Sequence, residues 1–261
     1  MSKTQKELAF LRDLSVDTEW TARFTDNFDK NYKFSDEESI LYLNAGTGNH
    51  VLALREKLDD KIELLGITED EELTIIADAK AKAIRADVGF STFAPRDPFD
   101  LVIADASLVK PKDVREFLTD AIELAERQAA FFLPTAGSFG EIFSMLWEVL
   151  ISQDLFEKSG EAERLIKELP TVSDAEEIAK NAGLKKLQTK TDVEIFEFEN
   201  GKEFINSTLV SDFLMMNWFD FLDEKEKKKV KKKLAQTIDE NRDSLSFQFT
   251  VKATMIGGEK V

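Results

Sequence analysis

Gly46 and Gly48 stand one residue apart, directly after a short apolar run at residues 39–44, in a chain of 261 residues. Glycine at such a place lets backbone approach a ligand closely, and the first N–H groups of a following helix have no partners inside that helix. The pattern suits a backbone cradle for a polar ligand, and equally a plain strand-to-helix turn. His50 follows two residues later; with an ordinary pKa near 6.5 it is either a general base at the mouth of that cradle or an exposed residue of the first helical turn. Asp100 and Asp105 bracket another apolar run, Asp100 as a turn acid and Asp105 at the edge where a ligand approaches. None of these residues is assigned a catalytic role. Cysteine is absent and histidine occurs once, which excludes disulfides, thiolate nucleophiles and cysteine or histidine-cluster metal sites, and no metal is expected.

The elements that must position these residues alternate. Residues 39–44 read as a buried strand and 49–58 as a helix. A second strand spans 62–67 and a helix 70–83, followed by a brief strand at 84–87. A fourth strand covers 99–105, a helix 112–127 and a fifth strand 129–134. Such alternation implies right-handed βαβ units and a doubly wound, mostly parallel α/β sheet. The first 35 residues read as amphipathic helix anchored by Leu8, Leu11, Trp20 and Phe24. Beyond residue 135 come helices over 140–155, to 169 and from 173, where Ser173 and Glu176 suggest a capping box. Two strands remain, at 193–198 and 245–253. Between them, 206–243 is mostly helical and carries a Phe/Met/Trp-rich stretch at 213–221, read either as core or as a lid or partner surface.

Lysine and arginine number 35 against 51 acids, a net charge of −16. A field of that sign opposes phosphate neutralisation, so nucleic acid is not an expected partner. The lysine-rich run 225–233 is a local exception, read as the outer face of a helix whose inner face carries Val230, Leu234 and Ile238. No apolar stretch approaches the roughly 18 residues of a membrane span, and the polar N-terminus lacks a signal-peptide pattern. A soluble, cytoplasmic protein is expected.

Several segments, in order, are similar to the motifs of class I S-adenosylmethionine (SAM) methyltransferases. Ile40-Leu-Tyr-Leu-Asn-Ala-Gly-Thr-Gly48 resembles the glycine-rich first motif, and Leu64-Leu-Gly-Ile-Thr68 the end of the second strand. Ala86-Asp87 resembles the acidic pair that faces adenine, and Phe99-Asp-Leu-Val-Ile-Ala104 the fourth-strand motif. The resemblance covers nearly the whole chain and most closely residues 36–135. It implies one methyltransferase-like domain: an N-terminal helical segment (1–35), a cofactor-binding core (36–135), a helical region (136–192) and a helical insertion (206–243). It also implies a seven-stranded sheet whose last two strands form an antiparallel pair, with the insertion before the last strand. SAM is the implied cofactor, with contacts from Tyr42, Asn44, Gly46, Thr47, Gly48, Thr68, Glu69, Asp87, Val88 and Ala104. Tyr42 stands where the family has an acid, Asn44 where it has glycine, and Thr68 where an acid grips the ribose.

Two functions follow from that resemblance. One is SAM-dependent methyl transfer to a small or apolar substrate, which needs alignment and exclusion of water more than acid–base groups. The other, suggested by Tyr42, Asn44 and Thr68, is a pseudoenzyme that keeps the fold as a binding or scaffolding protein. A dinucleotide oxidoreductase is disfavoured by the incomplete glycine fingerprint.

Overall fold

A computed structural model of the chain describes residues 3–241 and 246–260. It begins with helix α1 (Gln5–Leu11), capped by a reciprocal Thr4–Glu7 box. A π-helical segment (Arg12–Thr21) and α2 (Ala22–Asn31) continue it. Val16, Trp20, Phe24 and Phe28 recur every fourth residue and are all buried, which fixes the face this helix turns inward. Leu8 and Leu11 are only half-buried.

The βα cycles follow: β1 (Ser39–Leu43), α3 (Asn49–Lys57), β2 (Glu63–Ile67), α4 (Glu71–Ile84), β3 (Gly89–Ser91), β4 (Phe99–Asp105), α5 (Val114–Glu123) and β5 (Ala125–Thr135). Next come α6 (Gly140–Ser152), α7 (Ser159–Glu168), α8 (Val172–Asn181), β6 (Leu184–Phe198), α9 (Gly201–Asn206), α10 (Met215–Trp218), α11 (Glu224–Asn241) and β7 (Phe247–Lys260). The seven strands are ordered β3-β2-β1-β4-β5-β7-β6, and β1 to β5 pair in parallel. Thr191 meets Thr254 while Lys186 meets Glu259, so β6 and β7 run antiparallel. The order reverses between β1 and β4, and ligands of open α/β sheets lie beyond the strand ends at such a switch point.

The chain divides into two compact units. The first comprises the described residues within Met1–Leu133, Ser173–Thr191 and Thr254–Val261; the second those within Pro134–Val172 and Asp192–Ala253. In the first unit, Leu41, Leu43, Val102, Ala104, Phe131 and Leu133 share one core with Leu118, Ile122 and Ile178. The opposite side of β1 carries Ile40 and Tyr42; Phe24 stacks with Phe132 at 6.4 Å, and Phe28 meets the same ring at a tilt at 6.1 Å. In the second unit, Phe139 packs on Trp218 and Phe249. Leu214, Met215, Trp218 and Phe219 are buried, so much of the 213–221 stretch is core, while Met216 is exposed. Val230, Leu234 and Ile238 are buried as their spacing suggests. No described helix is long and apolar enough to cross a membrane.

Four expectations need correction. The third strand lies at 89–91 instead of 84–87: α4 runs on to Ile84 and is stopped by Arg85 in a left-handed conformation. The fifth strand begins at Ala125 because α5 ends at Glu123, and Lys260 Nζ caps that helix by donating to the carbonyls of Ile122 and Glu123. β6 starts nine residues before the expected Val193; its polar first half is an edge strand with solvent access, so it lacks the apolar pattern of a buried one. Ser173 sits inside α8 instead of capping it. The start of the last expected strand, at Leu245, and the end of the insertion, at 242–243, lie outside the described residues.

Candidate functional site

The strand β1 ends and the chain turns sharply three times. Asn44, Gly46 and Gly48 all adopt left-handed backbone, with φ of 56°, 56° and 81°. Asparagine tolerates this region better than most residues, and its side chain adds a tie: Asn44 Nδ2 donates to the carbonyl of Asp105 at 2.9 Å. That bond joins the C-terminal ends of β1 and β4 at the switch point. A side chain at Gly48 would collide with Phe90 and Ala77, so this glycine is required by packing. At Gly46, a Cβ would lie 2.9 Å from Nη2 of Arg12. The space over Gly46 is therefore taken by a guanidinium from the N-terminal helix.

That helix brings three charged residues onto the loop. Arg12 Nη1 pairs with Glu69 Oε1 at 2.6 Å, and Arg12 Nε reaches Asp17 Oδ1 at 3.4 Å. Asp17 Oδ2 accepts from the Thr47 hydroxyl at 2.6 Å and from the Thr47 N–H at 3.4 Å. The same hydroxyl lies 2.7 Å from Asp13 Oδ1, so one proton serves two carboxylates. Lys80 Nζ pairs with Asp13 and donates to Thr47 Oγ1 at 2.9 Å. Burial alone would weaken the charge on Arg12, but Glu69, Asp17 and Asp105 outweigh it and raise its pKa.

Thr68 and Glu69, directly after β2, face different ways. Thr68 is buried, and its hydroxyl bonds to Thr74 and to the carbonyl of Asp70 in the first turn of α4. Glu69 turns the other way: its Oε2 accepts the N–H of Gly46 at 3.2 Å while Oε1 holds Arg12. Asp70 caps α4 by accepting from the N–H of Leu73. An acid thus does stand between the glycine loop and β2, one residue later than the family pattern has it.

Tyr42 lies beneath the loop instead of facing the crevice. Its hydroxyl is 2.9 Å from His50 Nδ1, and His50 Nε2 is 3.1 Å from Asp29 Oδ1. A carboxylate only accepts, so Nε2 carries a proton, and in the neutral ring Tyr42 donates to Nδ1. Burial raises the phenol's pKa well above its ordinary value, so it stays protonated. Burial would also raise the pKa of Asp29, but the bonds from His50 and Lys57 prevail and lower it. His50 is 9% exposed, which removes the reading of it as an exposed helix residue.

At the end of β4, Asp105 Oδ1 accepts the N–H of Ser107 at 2.8 Å. Burial, against the Ser107 bonds and Arg12, pushes its carboxyl up to about 7. Ser107 is itself buried beside that carboxyl. Ala104 belongs to the apolar core. Asp87 and Val88 precede β3, whose Gly89 pairs with Leu65, so both lie toward the N-terminal end of β2, away from Glu69 and the glycine loop. The crevice therefore gathers Asn44, Gly46, Thr47, Glu69 and Asp105; Tyr42, Thr68, Ala104, Asp87 and Val88 point or lie elsewhere. Arg12, Asp13 and Asp17 escaped the sequence reading, although Arg12 extends the Val16, Trp20, Phe24, Phe28 ladder by one step, a charge on a buried stripe.

Strand order, the antiparallel β6–β7 pair and the glycine loop at the switch point define the class I methyltransferase fold. The fold is similar to that of the YcgJ protein of Bacillus subtilis (14% identity over 88% of this chain and 95% of that chain, TM-score 0.55). It is similar also to a candidate methyltransferase of Bacillus halodurans (13% identity, 92% and 99% covered, TM-score 0.56). A third similar structure is the phosphoethanolamine N-methyltransferase 2 of Haemonchus contortus, in complex with phosphomonomethylethanolamine and S-adenosylhomocysteine (10% identity, 99% of this chain and 59% of that chain, TM-score 0.56). No protein-family model and no curated protein sequence matches this chain.

Proposed function

We propose that the chain binds SAM in the crevice over Asn44–Gly48 and transfers its methyl group to a small or apolar acceptor. The observation that carries this reading is Glu69, whose carboxylate both accepts the N–H of Gly46 and faces the crevice, where it is placed to accept from a ribose diol. Charge-assisted bonds of that kind are about twice as strong as neutral ones. The left-handed backbone at Asn44 and Gly46 brings main chain to the ligand. Arg12 is the far end of a flexible side chain, so the cradle fits the cofactor once the guanidinium moves. SAM supplies an electrophilic methyl group; the residues here orient the ligand and exclude water. Titration of 15N-labelled protein with S-adenosylhomocysteine should shift the amide signals of Gly46, Thr47, Gly48 and Glu69. Shifts confined to other residues, or none at millimolar ligand, would sink the proposal.

A second reading has its own observation. The loop N–H groups of Gly46 and Thr47, the Thr47 hydroxyl and the carboxylate of Glu69 are already paired within the chain. A pseudoenzyme with a filled crevice, serving as a binding or scaffolding protein, would look like this. The same titration separates the two.

A further inference from the structure

We infer that Arg12 is a built-in competitor of the ligand, so that the N-terminal helix latches the crevice shut and must yield before anything binds there. The inference rests on the proposed use of the crevice and adds its regulation. Its first support is stereochemical: the guanidinium lies on Gly46, with Nη2, Nε and the central carbon all within 3.2 Å of where a Cβ would stand. A ligand approaching that backbone and this side chain exclude each other. The second is chemical. Arg12 donates to Glu69 Oε1, the acceptor assigned to a ribose diol, so protein and ligand present the same kind of donor to the same oxygen.

The third support is the helix that carries it. Arg12–Thr21 is π-helical, with the N–H of Ala22 donating to the carbonyl of Asp17, five residues back. π-helix is rare and concentrates at functional sites, usually as a single turn, whereas this segment spans 10 residues. Returning to the four-residue spacing of an α-helix would turn Arg12, Asp13 and Asp17 about the helix axis while Phe24 and Phe28 keep their places in α2. The segment thus has a second hydrogen-bonding register available, and the latch has a way to open without unfolding. Asp13 and Asp17 hold Thr47 by the same helix, so all three contacts release together.

The test pairs binding with hydrogen exchange on the full chain. Arg12→Met keeps most of the aliphatic stem and removes the competitor; Arg12→Lys keeps the charge without the planar fork and serves if the first variant melts too low. Arg12→Met should bind S-adenosylhomocysteine at least about tenfold more tightly than the parent, the scale of one charge-assisted hydrogen bond. Its Gly46 and Thr47 amides should also exchange faster in the absence of ligand. Equal or weaker binding in a folded variant overturns the latch, weaker binding marking Arg12 as a ligand contact. If neither protein binds, the cofactor proposal fails on its own, and exchange decides the rest: faster exchange supports the latch, and unchanged exchange overturns it.

Discussion

Arg127 and Arg12 each pair with a carboxylate, at opposite ends of the parallel strands. Arg127, near the start of β5, meets Asp36 at 2.5 Å with side chains 41% and 76% exposed. Arg12, beyond the ends of β1 and β2, meets Glu69 at 2.6 Å with side chains 9% and 29% exposed. The lengths are nearly equal and the settings opposite. An exposed pair contributes about 0–1 kcal/mol, whereas a buried charge costs several kcal/mol to desolvate and is kept only with good partners. Charged groups that a fold buries around a glycine loop at a switch point are where function is to be sought. Those at the other end are ordinary surface.

The two ends should also answer pH with opposite signs. Hydrogen bonds from Arg127 lower the pKa of Asp36, so its contribution is present at neutral pH and is lost as pH falls. Asp105 is raised to about 7 by burial, against about 3.9 in an unfolded chain. Its contribution is complete below about pH 4 and is lost as pH rises through about 7. Asp105→Asn keeps an acceptor for the Ser107 N–H and should raise stability at pH 8 by up to about 4 kcal/mol, with little gain at pH 4. Urea melts at the two pH values check it; an equal change at both would remove Asp105 as the titrating group. Next in size, Arg12→Ala should cost about 3 kcal/mol by leaving Glu69 and Asp17 without their cation. Tyr42→Phe should cost about 1 kcal/mol, since His50 loses one partner while the ring stays packed. Arg127→Ala should leave the melting temperature close to the parent's, since an exposed ion pair contributes little. If the two arginine variants lose equal stability in thermal melts, the contrast between the ends disappears.

Much of the fold was legible because its signals are local. Residues 99–105 form an apolar run bounded by polar turns, and β4 occupies those residues. Asn44, which stands where the family has glycine, takes the left-handed backbone that asparagine tolerates. β3 escaped because it has only three residues and follows a helix whose composition gives no stop before Arg85. The crevice was half legible: Gly46, Thr47 and Glu69 follow strands and Asp105 ends one, so they fall at its edge. Arg12 and Asp17 reach it from a helix well upstream, Asp17 lying 30 residues before Thr47, by tertiary packing that no local pattern records. Tyr42 and Thr68 were misplaced for one reason. A strand alternates its side chains and a turn redirects them, so matching a motif position does not fix which way a substituted residue points.

The most direct test is a crystal structure of the protein with S-adenosylhomocysteine. The ligand should lie over Asn44–Gly48 with its ribose on Glu69, and Arg12 should be withdrawn from Gly46. Ligand bound there with Arg12 still lying on Gly46, or bound away from the glycine loop altogether, would contradict it.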